Sequence, residues 1–531
     1  MSIPVIDLFA GPGGLGEGFS SFEAPDRTNP FQIGLSIEKD EHAHRTLELR
    51  SFFRKFPKGQ APDAYYRYLR GEVTREQLFK SFKREAKEAW NEAWKAELGA
   101  RGYRHSDIDR RIVRALGGQE HWVLVGGPPC QAYSIAGRSR MGGNKAATQE
   151  QFEQDRRHLL YKQYLRIIAR HRPTIFIMEN VKGILSSKMK GDSIFSLILK
   201  DLRHPTRAIE GQDAEVGERL AMDGEVIYNI FPLVRPPRLD FSGEFLSPSD
   251  YVVRAEEFGV PQARHRVFLL GVRADVGIEH GDEHFLTPTE QRRTAQDVIG
   301  DLPGLRSQIS RGGDSLEAWH EAVRDVEAQQ WLAQEGFTNL REMICEVARN
   351  VNGHLTSGAE WMDGATTPAH NPDNWYTDPM LNGVCNHSAR SHRADDLHRY
   401  LFASVYAHQN ERSPMLRDFP TELLPDHGNV AQAIKTNDNF SDRFRVQLRD
   451  RPSTTVLAHI SKDGHYFIHY DPNQCRSLTV REAARLQTFP DNYFFEGPRT
   501  EQYHQVGNAV PPLLARQIAA FVYKLLGQRA E

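Results

Sequence analysis

Cysteine is scarce in this chain, and its placement excludes the common cysteine-based architectures. The sequence of 531 residues has four cysteines, and no two of them form a CxxC pair. They are Cys130, Cys345, Cys385 and Cys475. A disulfide scaffold or a zinc ribbon needs clustered cysteines at short spacings, so neither is predicted and each thiol is interpreted alone.

Long hydrophobic runs and a strong net charge are also absent. No apolar run approaches the roughly 18 residues of a membrane span. The N-terminal sequence MSIPVIDLFAGPGG has no basic segment followed by a cleavage site. We therefore expect a cytoplasmic protein that does not contact a membrane. The net charge of −3 excludes a uniformly basic nucleic-acid coat, but it allows a local basic cleft.

What the chain does have is an alternation of strand and helix patterns. Short apolar runs such as PVIDLFA, FQIGLSIE, HWVLVGG, TIFIMENV and RVFLLGVR are typical of buried strands. Between about residues 274 and 450 this rhythm gives way to a region rich in His, Asn, Asp and Pro. We expect a doubly wound α/β domain and a second, smaller domain, because the chain is too long for one ordinary core.

A basic segment, residues 50–118, interrupts the alternation. Apolar residues recur in it at every fourth position from Leu78 through Trp90 and Trp94 to Leu98, and Gly99 follows. This spacing predicts one long amphipathic helix with a glycine stop. Two interpretations remain open. The segment is either a helical insertion packed on the main domain, which the tryptophans favour, or an arm that binds DNA backbone or a partner.

The first strand is followed by a glycine-rich turn. Gly11, Gly13 and Gly16 match the pattern G-x-G-x-x-G, and Glu38 ends the next strand. This arrangement suits a dinucleotide or any other adenosine-bearing cofactor, whose ribose hydroxyls the acid would hold. Taken alone the pattern is weak, since an ordinary tight turn between a strand and a helix uses the same glycines.

Three further segments bring reactive side chains to the same predicted edge of the sheet. Cys130 follows two prolines that fix the backbone, in the loop GGPPCQAYS, and its thiolate would be a nucleophile. Glu179 follows the apolar strand TIFI and offers a carboxyl group for proton transfer. Gln262, Arg264 and Arg266 precede a later strand, where two arginines on one face suit a carbonyl oxygen or a phosphate.

Together these segments resemble the DNA cytosine-5 methyltransferases. DLFAGPGG, GGPPCQAYS, MENV, QARHR, LTVREAARLQTFPD and GNAVPP stand in the order of that family's motifs, across residues 4–49, 121–273 and 476–526. The resemblance implies a Rossmann-like S-adenosylmethionine-dependent methyltransferase domain with a smaller target-recognition domain. Residues 1–275 and 476–531 would form the catalytic domain, and residues 276–475 the target-recognition domain.

In that family a target cytosine is flipped out of the DNA duplex before it reacts. The resemblance implies that Cys130 adds to C6 of the ring while Glu179 protonates N3. Arg266 would hold the cytosine O2, and Arg264 would support the pocket. The ring carbon C5 would then take the methyl group, and loss of the C5 proton would release the thiolate.

The resemblance also implies a site for S-adenosyl-L-methionine. The residues expected to form it are Phe9, Gly11, Gly13, Gly14, Leu15, Glu38, Pro129 and Asn508. The family usually has one more acid, after its third strand, that contacts the adenine amino group. The basic segment obscures this position: Asp107, Asp109 and Glu72 are candidates, and Asp109 is preferred for its distance upstream of Cys130.

Double-stranded DNA is the implied substrate. The residues expected to contact it are Gln131, Ser134, Arg138, Arg140, Gln262, Arg390 and Arg393. The motifs leave residues 276–450 as the large segment available to read a sequence, and Arg443 and Arg445 are further candidates there. We expect a monomer that acts beside cognate restriction or defence proteins.

Other interpretations explain fewer of these residues. A tRNA-methylating enzyme of the same family keeps the Cys and Glu motifs but lacks the long segment before LTVREAARLQ. A nicotinamide-dependent oxidoreductase would rest on the glycine turn alone, and a silent DNA-binding module would leave the catalytic positions unexplained. Cys385, His387 and His392 are an incomplete and irregularly spaced ligand set, so no metal is predicted.

Overall fold

The computed structural model describes residues 2–129, 156–189, 192–210, 224–234, 247–277, 285–350, 354–426, 428, 430–436 and 441–527. The strands are β1 Ile3–Leu8, β2 Phe31–Glu38, β3 Ala93–Lys95, β4 Val123–Gly126, β5 Ile175–Val181, β6 Lys188–Met189, β7 Asp192–Ser193, β8 Tyr228–Phe231, β9 Val252–Arg254, β10 Gln262–Ala263, β11 His265–Arg273, β12 Gln308–Ile309, β13 Gly358–Asp363, β14 Gly383–Ser388, β15 Ser391–His392 and β16 Ser453–Thr454.

Helices connect these strands and cover the main sheet. They are α1 Gly14–Ser21, α2 Glu41–Phe53, α3 Asp63–Leu69, α4 Arg75–Ser81, α5 Lys83–Glu92, α6 His105–Leu116, α7 Arg156–His171, α8 Ile194–Arg203, α9 Pro205–Glu210, α10 Ala295–Ile299, α11 Leu316–Arg324, α12 Thr338–Asn350, α13 Ala394–Asn410, α14 Val430–Thr436, α15 Val480–Leu486, α16 Arg499–Asn508 and α17 Pro512–Gly527. Short 3-10 turns lie between several of them.

The largest element is a mixed sheet in the order β3-β2-β1-β4-β5-β11-β8, with β9 paired to β11. Strands β3, β2, β1, β4 and β5 run parallel, and β11 is antiparallel to β5. Both faces of the central strands are buried, which is why their sequences read as continuous apolar runs. The strands expected from the sequence are confirmed, and the sheet is the predicted α/β type.

The two faces of the sheet carry separate cores. Ile6, Leu35 and Leu124 face helices α6, α7 and α8, whereas Val5, Ile33 and Val125 face α1 and α17. Helices α1 and α17 lie so close that a Cβ on Gly18 would come within 2.3 Å of the Ala515 Cβ. The C-terminal segment therefore completes the sheet domain that the N-terminal half begins.

The basic segment differs from the single long helix predicted for it. Helix α4 ends at Ser81 and α5 begins at Lys83, because Phe82 between them has the non-helical angles φ −130° and ψ 62°. Helix α5 ends at Glu92. Residues Ala93–Lys95 then join the sheet as an edge strand beside β2. Trp94 packs half-buried against the core, but Trp90 is 56% exposed. The predicted tryptophan stripe is therefore wrong, since a parallel edge pairing overrides the helical pattern.

The segment nevertheless packs on the main body, as the first of the two interpretations proposed. Phe52, Tyr65 and Leu78 form a core with residues of α5, together with Leu381 and Cys385 from the later part of the chain. Tyr66 also donates a hydrogen bond to Asp378 Oδ2 at 2.8 Å. The insertion therefore bridges the sheet domain and the region that follows β11.

The long region after β11 contributes to two cores. Helices α11, α12 and α13 enclose one of them, with Trp319, Trp331 and Tyr400 at its centre. Parts of the same region, around Val298, Tyr376 and Val456, instead pack with α15 and α16. The boundary predicted at residue 475 stays a prediction, because the chain crosses between these cores more than once.

The C-terminal stretch Arg499–Gly527 is long and apolar enough to cross a membrane, by length and composition alone. It is interrupted between α16 and α17, and 67% of its most apolar window is buried within the protein. Its apolar side chains form the core beneath the sheet, as in a core helix of a globular protein.

Candidate active site

The carboxyl ends of three parallel strands meet at one edge of the sheet. Gly126 at the end of β4 lies in register with Leu8 of β1 on one side and with Met178 of β5 on the other. The residues that follow, Phe9 and Glu179 among them, border a cavity of about 380 Å³. Ligands of open α/β sheets bind at this kind of edge.

The cavity brings together most of the residues predicted for the cofactor. Its walls include Phe9, Gly11, Leu15, Glu38, Pro129, Glu179 and Asn508, together with Ile37, Ala43, Glu97, Leu98, Leu160, Glu501, His504 and Gln505, which the sequence analysis did not single out. Gly13 and Gly14, which were also predicted for this site, do not line the cavity. A Cβ on Gly14 would come within 2.2 Å of the Val510 carbonyl oxygen, so only glycine fits there.

The glycine turn is built from left-handed backbone conformations. Phe9, Gly11 and Gly13 have φ values of 58°, 57° and 101°. The amide of Ala10 donates to the carbonyl of Ile37 at 3.1 Å, which anchors the turn to β2. A non-glycine residue with positive φ is uncommon, and Phe9 in this conformation is partly buried and lines the cavity.

Glu38 is fixed by backbone donors. Its Oε2 accepts from Gly11 N at 2.8 Å, and its Oε1 accepts from Lys39 N at 2.8 Å and Asp40 N at 2.7 Å. Burial raises the pKa of this carboxyl, while the three amides oppose that effect. Each carboxylate oxygen has further lone pairs, so Glu38 can still accept from hydroxyl groups in the cavity.

Glu179, which lines the cavity, forms an ion pair with Arg266. The pairing of β5 with β11 brings them together, and Arg266 Nε lies 3.1 Å from Glu179 Oε1. Both side chains are about 85% buried, at 15% and 14% exposure. Burial lowers the pKa of Arg266, and the charge of Glu179 opposes this. A carboxylate and a guanidinium side by side can bind the donor and acceptor edge of a heterocycle.

Arg264 lies behind this pair and is buried. Its Nη1 donates to the carbonyls of Val456 at 3.0 Å and Gly507 at 3.3 Å. Burial, then the neighbouring charge of Arg266, lowers its pKa well below the ordinary value. Arg264 therefore ties the catalytic edge to α16 and to the stretch after β16, which fits the supporting role predicted for it.

Asn180 of β5 holds the loop that contains Pro128 and Pro129. Its Nδ2 donates to the Pro128 carbonyl at 3.3 Å, and its Oδ1 accepts from Val181 N at 2.8 Å. A Cβ on Gly127 would lie 3.0 Å from Glu179 Oε2, so the loop passes directly over the carboxylate. Cys130 and the predicted DNA contacts Gln131, Ser134, Arg138 and Arg140 lie outside the described residues.

Gln262 does not fit its predicted contact with DNA. It is fully buried, its Nε2 donates to Leu486 O and Gln487 Oε1, and its Oε1 accepts from Val456 N at 2.8 Å. All of its amide hydrogen bonds are used inside the protein. The prediction is therefore corrected: Gln262 joins β10 to the C-terminal segment, because burial rather than strand alternation decides where it points.

The adenine-contacting acid predicted at Asp109 is also corrected. Asp109 Oδ2 lies 2.6 Å from Arg166 Nη2, and Oδ1 lies 2.8 Å from His171 Nε2, so it joins α6 to α7 away from the cavity. The acid that follows the third strand is Glu97, and it borders the cavity. No local sequence pattern indicates this acid, since β3 has only three residues.

Two arginines predicted to contact DNA have internal partners. Arg390 donates to the Ile460 carbonyl and its guanidinium lies 4.2 Å from the Tyr503 ring centroid. Turning it toward DNA would break both contacts, which argues against base reading by Arg390. Arg393 is 58% exposed and pairs with Asp395 at 2.9 Å, a surface pair that DNA phosphates can displace.

The three residues considered as metal ligands are committed to other contacts. His387 has Nδ1 at 2.9 Å from Thr479 Oγ1 and Nε2 at 2.9 Å from the Pro303 carbonyl. His392 has Nε2 within 3.3 Å of Ser477 Oγ. Burial raises the pKa of Cys385 to about 12 and disfavours its thiolate. These side chains serve as packed core residues.

Known proteins with sequences similar to this chain are DNA methyltransferases. The family model for C-5 cytosine-specific DNA methylases matches residues 77–204 and 247–524. The Type II methyltransferase M.Bpa9945I of Bacillus paralicheniformis is 31% identical over 98% of this chain and 98% of its own length. M.AgeI of Thalassovita gelatinovora is 25% identical over 97% of both chains. The DNA (cytosine-5-)-methyltransferase M.ApeKI of Aeropyrum pernix is 26% identical over 79% of this chain and 85% of its own.

These matches show that the protein is a methyltransferase, and its chain is built on the α/β sheet described above. More narrowly, the chain belongs to the C-5 cytosine-specific DNA methylase family and is a DNA (cytosine-5-)-methyltransferase. This membership excludes the nicotinamide-dependent oxidoreductase and the silent binding module, and it favours DNA over tRNA as the substrate.

Proposed function

We propose that the protein methylates C5 of a cytosine flipped out of double-stranded DNA, through a covalent bond between Cys130 and C6. The observation that carries this proposal is the Glu179–Arg266 pair, 3.1 Å apart, in which Glu179 lines the cavity and lies next to the loop that leads to Cys130. The pair supplies both groups that such a reaction needs at the far side of the ring.

The proton balance assigns a role to each group. As the Cys130 thiolate adds to C6, electron density moves toward N3 and O2. Glu179 in its acid form donates a proton to N3, and Arg266 donates a hydrogen bond to O2. C5 then attacks the methyl group, whose bond to the donor sulfur would break with release of S-adenosylhomocysteine. A base removes the C5 proton, the electrons of that C–H bond reform the C5–C6 double bond, the thiolate leaves with the electrons of the C6–S bond, and N3 returns its proton to Glu179.

S-adenosyl-L-methionine would supply the electrophilic methyl group, and the residues of the cavity fit it. Glu38 keeps free lone pairs for ribose hydroxyls, as described above. Phe9, Ile37 and Leu98 offer apolar surface for the adenine, and the volume of about 380 Å³ is in the range of small-ligand sites. Glu97 is the acid nearest the third strand, and we assign to it the adenine contact first predicted for Asp109.

Recognition of a DNA sequence would fall to the region after β11. The relatives named as type II methyltransferases support a place in restriction-modification, with cognate restriction or defence proteins as partners in the cytoplasm. Arg393, Arg443 and Arg445 remain candidates for contacts to bases or phosphates, and a bidentate arginine–guanine contact discriminates by about 1–3 kcal/mol. We expect the enzyme to act as a monomer.

The reaction can be tested by trapping. Expression in a bacterial host without cytosine-5 methylation, followed by sequencing that maps 5-methylcytosine, gives the modified site. A duplex carrying 5-fluorocytosine at that site has no C5 proton to lose, so the enzyme stalls covalently attached. A denaturing gel should show a shifted band with the wild-type protein and cofactor.

Two variants identify the groups involved. Cys130→Ser should give no shifted band, because a serine hydroxyl is far less ionised than a thiol at neutral pH. Glu179→Gln should slow trapping, since it removes the acid at N3. An equally strong band from Cys130→Ser would end the covalent mechanism while leaving the enzyme class intact.

A further inference from the structure

Tyr493 in the C-terminal segment reaches the glycine turn from outside the cavity. It is fully buried, and its hydroxyl donates a hydrogen bond to the carbonyl oxygen of Pro12. The sequence between α15 and α16 thus contacts the loop that leaves β1, although the two are some 480 residues apart in the chain. No role in the reaction described above uses this contact.

The turn has few other fixed points on this side. Gly11 N is held by Glu38, and Gly13 N by the Ala10 carbonyl at 2.9 Å. Pro12 has no amide hydrogen. Within the residues that the structure describes, its carbonyl accepts a hydrogen bond from Tyr493 alone. A buried carbonyl without that donor would have to be rehydrated or turned away.

The ring of Tyr493 also limits where Gly13 can move. A Cβ on Gly13 would lie 3.0 Å from the Tyr493 hydroxyl oxygen and 2.8 Å from Leu47 Cδ1, so the turn passes between these two side chains. Leu47 belongs to α2, whose first turn follows Glu38. Tyr493 and α2 therefore hold the glycine turn from two sides.

A buried ion pair keeps Tyr493 in place. Arg50 of α2 lies over its ring at 4.8 Å from the centroid, and donates to both carboxylate oxygens of Glu17 at 2.8 and 2.5 Å. Arg50 also donates to Asn492 Oδ1 at 2.9 Å. Burial acts to raise the pKa of Glu17, but the charge and hydrogen bonds of Arg50 outweigh it and lower that pKa. The charged pair thus joins α1, α2 and the residue before Tyr493.

We propose that Tyr493 is a positioning residue for the cofactor: its hydroxyl holds the Pro12 carbonyl and keeps the glycine turn in the shape that forms the cavity wall. The inference rests on the proposed use of S-adenosyl-L-methionine in this cavity. Tyr493 does not border the cavity itself, so its effect reaches the ligand through the backbone of Pro12 and Gly13.

The test compares Tyr493→Phe with Tyr228→Phe. Tyr228 is also fully buried, and its hydroxyl also donates to a proline carbonyl, Pro173 O at 2.8 Å, but it lies on β8 away from the cavity. Both variants lose one buried hydrogen bond and should lose similar thermal stability. Binding of S-adenosylhomocysteine, measured by calorimetry, should weaken about tenfold in Tyr493→Phe and stay unchanged in Tyr228→Phe.

Steady-state kinetics separate positioning from a merely structural role. In Tyr493→Phe the KM for the cofactor should rise, while the KM for DNA and kcat at saturating cofactor stay near the wild-type values. Wild-type affinity of Tyr493→Phe for S-adenosylhomocysteine overturns the inference and leaves the proposed function standing. Equal weakening of binding in the two variants also overturns the inference alone. Failure of the wild-type protein to bind S-adenosylhomocysteine overturns both the inference and the proposed function.

Discussion

Glu38 and Glu179 line one cavity, and they differ in the groups that hold them. Each lies near the carboxyl end of a parallel strand, yet Glu38 accepts three backbone hydrogen bonds whereas Glu179 pairs with one side chain, Arg266. Backbone donors fix a carboxylate and keep it an acceptor, which suits a group that only binds. A side-chain partner leaves the second oxygen of Glu179 near Gly127, which suits a group that exchanges a proton.

The largest effect is expected from Glu179→Gln. An amide keeps the size of the side chain but cannot donate the proton to N3 as an acid, so kcat should fall about 100- to 10,000-fold. The affinity for S-adenosylhomocysteine should change less than twofold, because Glu38 and the glycine turn are untouched. Single-turnover methylation and calorimetry on the same preparation measure both quantities.

A matched control sharpens this comparison. Glu257→Gln removes a carboxylate from the same domain that pairs with the exposed Arg254 and Arg292 at the surface. Its kcat should stay within twofold of the wild type. If Glu179→Gln kept wild-type turnover, the division between a binding acid and a reacting acid would be wrong.

How much of this edge the sequence could predict depends on the length of each element. Strands β1, β2, β4 and β5 have apolar runs that are largely buried, so their carboxyl ends, and hence Phe9, Glu38 and Glu179, could be placed in advance. Strand β3 has three residues and is defined by its pairing with β2, which no local pattern reports. Glu97, two residues after this strand, is therefore absent from the candidates that the sequence predicts.

Burial accounts for the other differences. Strand alternation predicts that Gln262, Arg264 and Arg266 share one face. Only the packed structure shows that the side-chain amide of Gln262 is hydrogen-bonded to Val456 and Gln487. Sequence motifs specify which residues occupy a site, and long-range contacts between β10 and the C-terminal segment decide which of them face a substrate. The same holds for Tyr493, whose contact with Pro12 has no local signature.

Glu38→Gln should show the opposite pattern from Glu179→Gln. Both carboxylate oxygens face backbone N–H donors, so in either orientation the amide NH2 would meet a donor and one hydrogen bond at least is lost. The affinity for S-adenosylhomocysteine should fall about tenfold, with kcat at saturating cofactor nearly unchanged. Glu41→Gln, an exposed neighbour that pairs with Lys95, is the control and should bind normally.

Asp7 extends the comparison to a carboxyl group without any charged partner in contact. It is buried on β1, and burial raises its pKa to about 8, although the backbone N–H of Gly16 opposes that rise. The folded protein then holds a proton that the unfolded chain releases above about pH 4, so the contribution of Asp7 to stability falls as pH rises toward 8.

Asp7→Asn should remove this dependence. Relative to the wild type, the variant should gain roughly 1 kcal/mol per pH unit between pH 5 and pH 8. Urea unfolding at four pH values measures the difference, and comparison across pH cancels any constant effect of the new amide. Parallel curves for the two proteins would show that Asp7 stays ionised in the folded state.

The smallest effect separates Glu97 from Asp109 as the acid that contacts the cofactor. Glu97 borders the cavity and its side chain is 40% exposed, with Lys39 as a partner at 3.4 Å. An exposed hydrogen bond to an amino group contributes little, so Glu97→Gln should weaken S-adenosylhomocysteine binding only about threefold. S-inosylhomocysteine, which has no amino group on the base, should bind both proteins alike.

Asp109→Asn provides the reverse control. It breaks the pairs with Arg166 and His171 that hold α6 against α7. Burial acts to raise the pKa of Asp109, but the hydrogen bonds and charges of His171 and Arg166 outweigh burial and lower that pKa. The free energy of unfolding should therefore drop, while the affinity for S-adenosylhomocysteine stays at the wild-type value. Loss of affinity in Asp109→Asn but not in Glu97→Gln would restore the assignment made from the sequence, and would place the adenine on the side of α6 rather than beside β3.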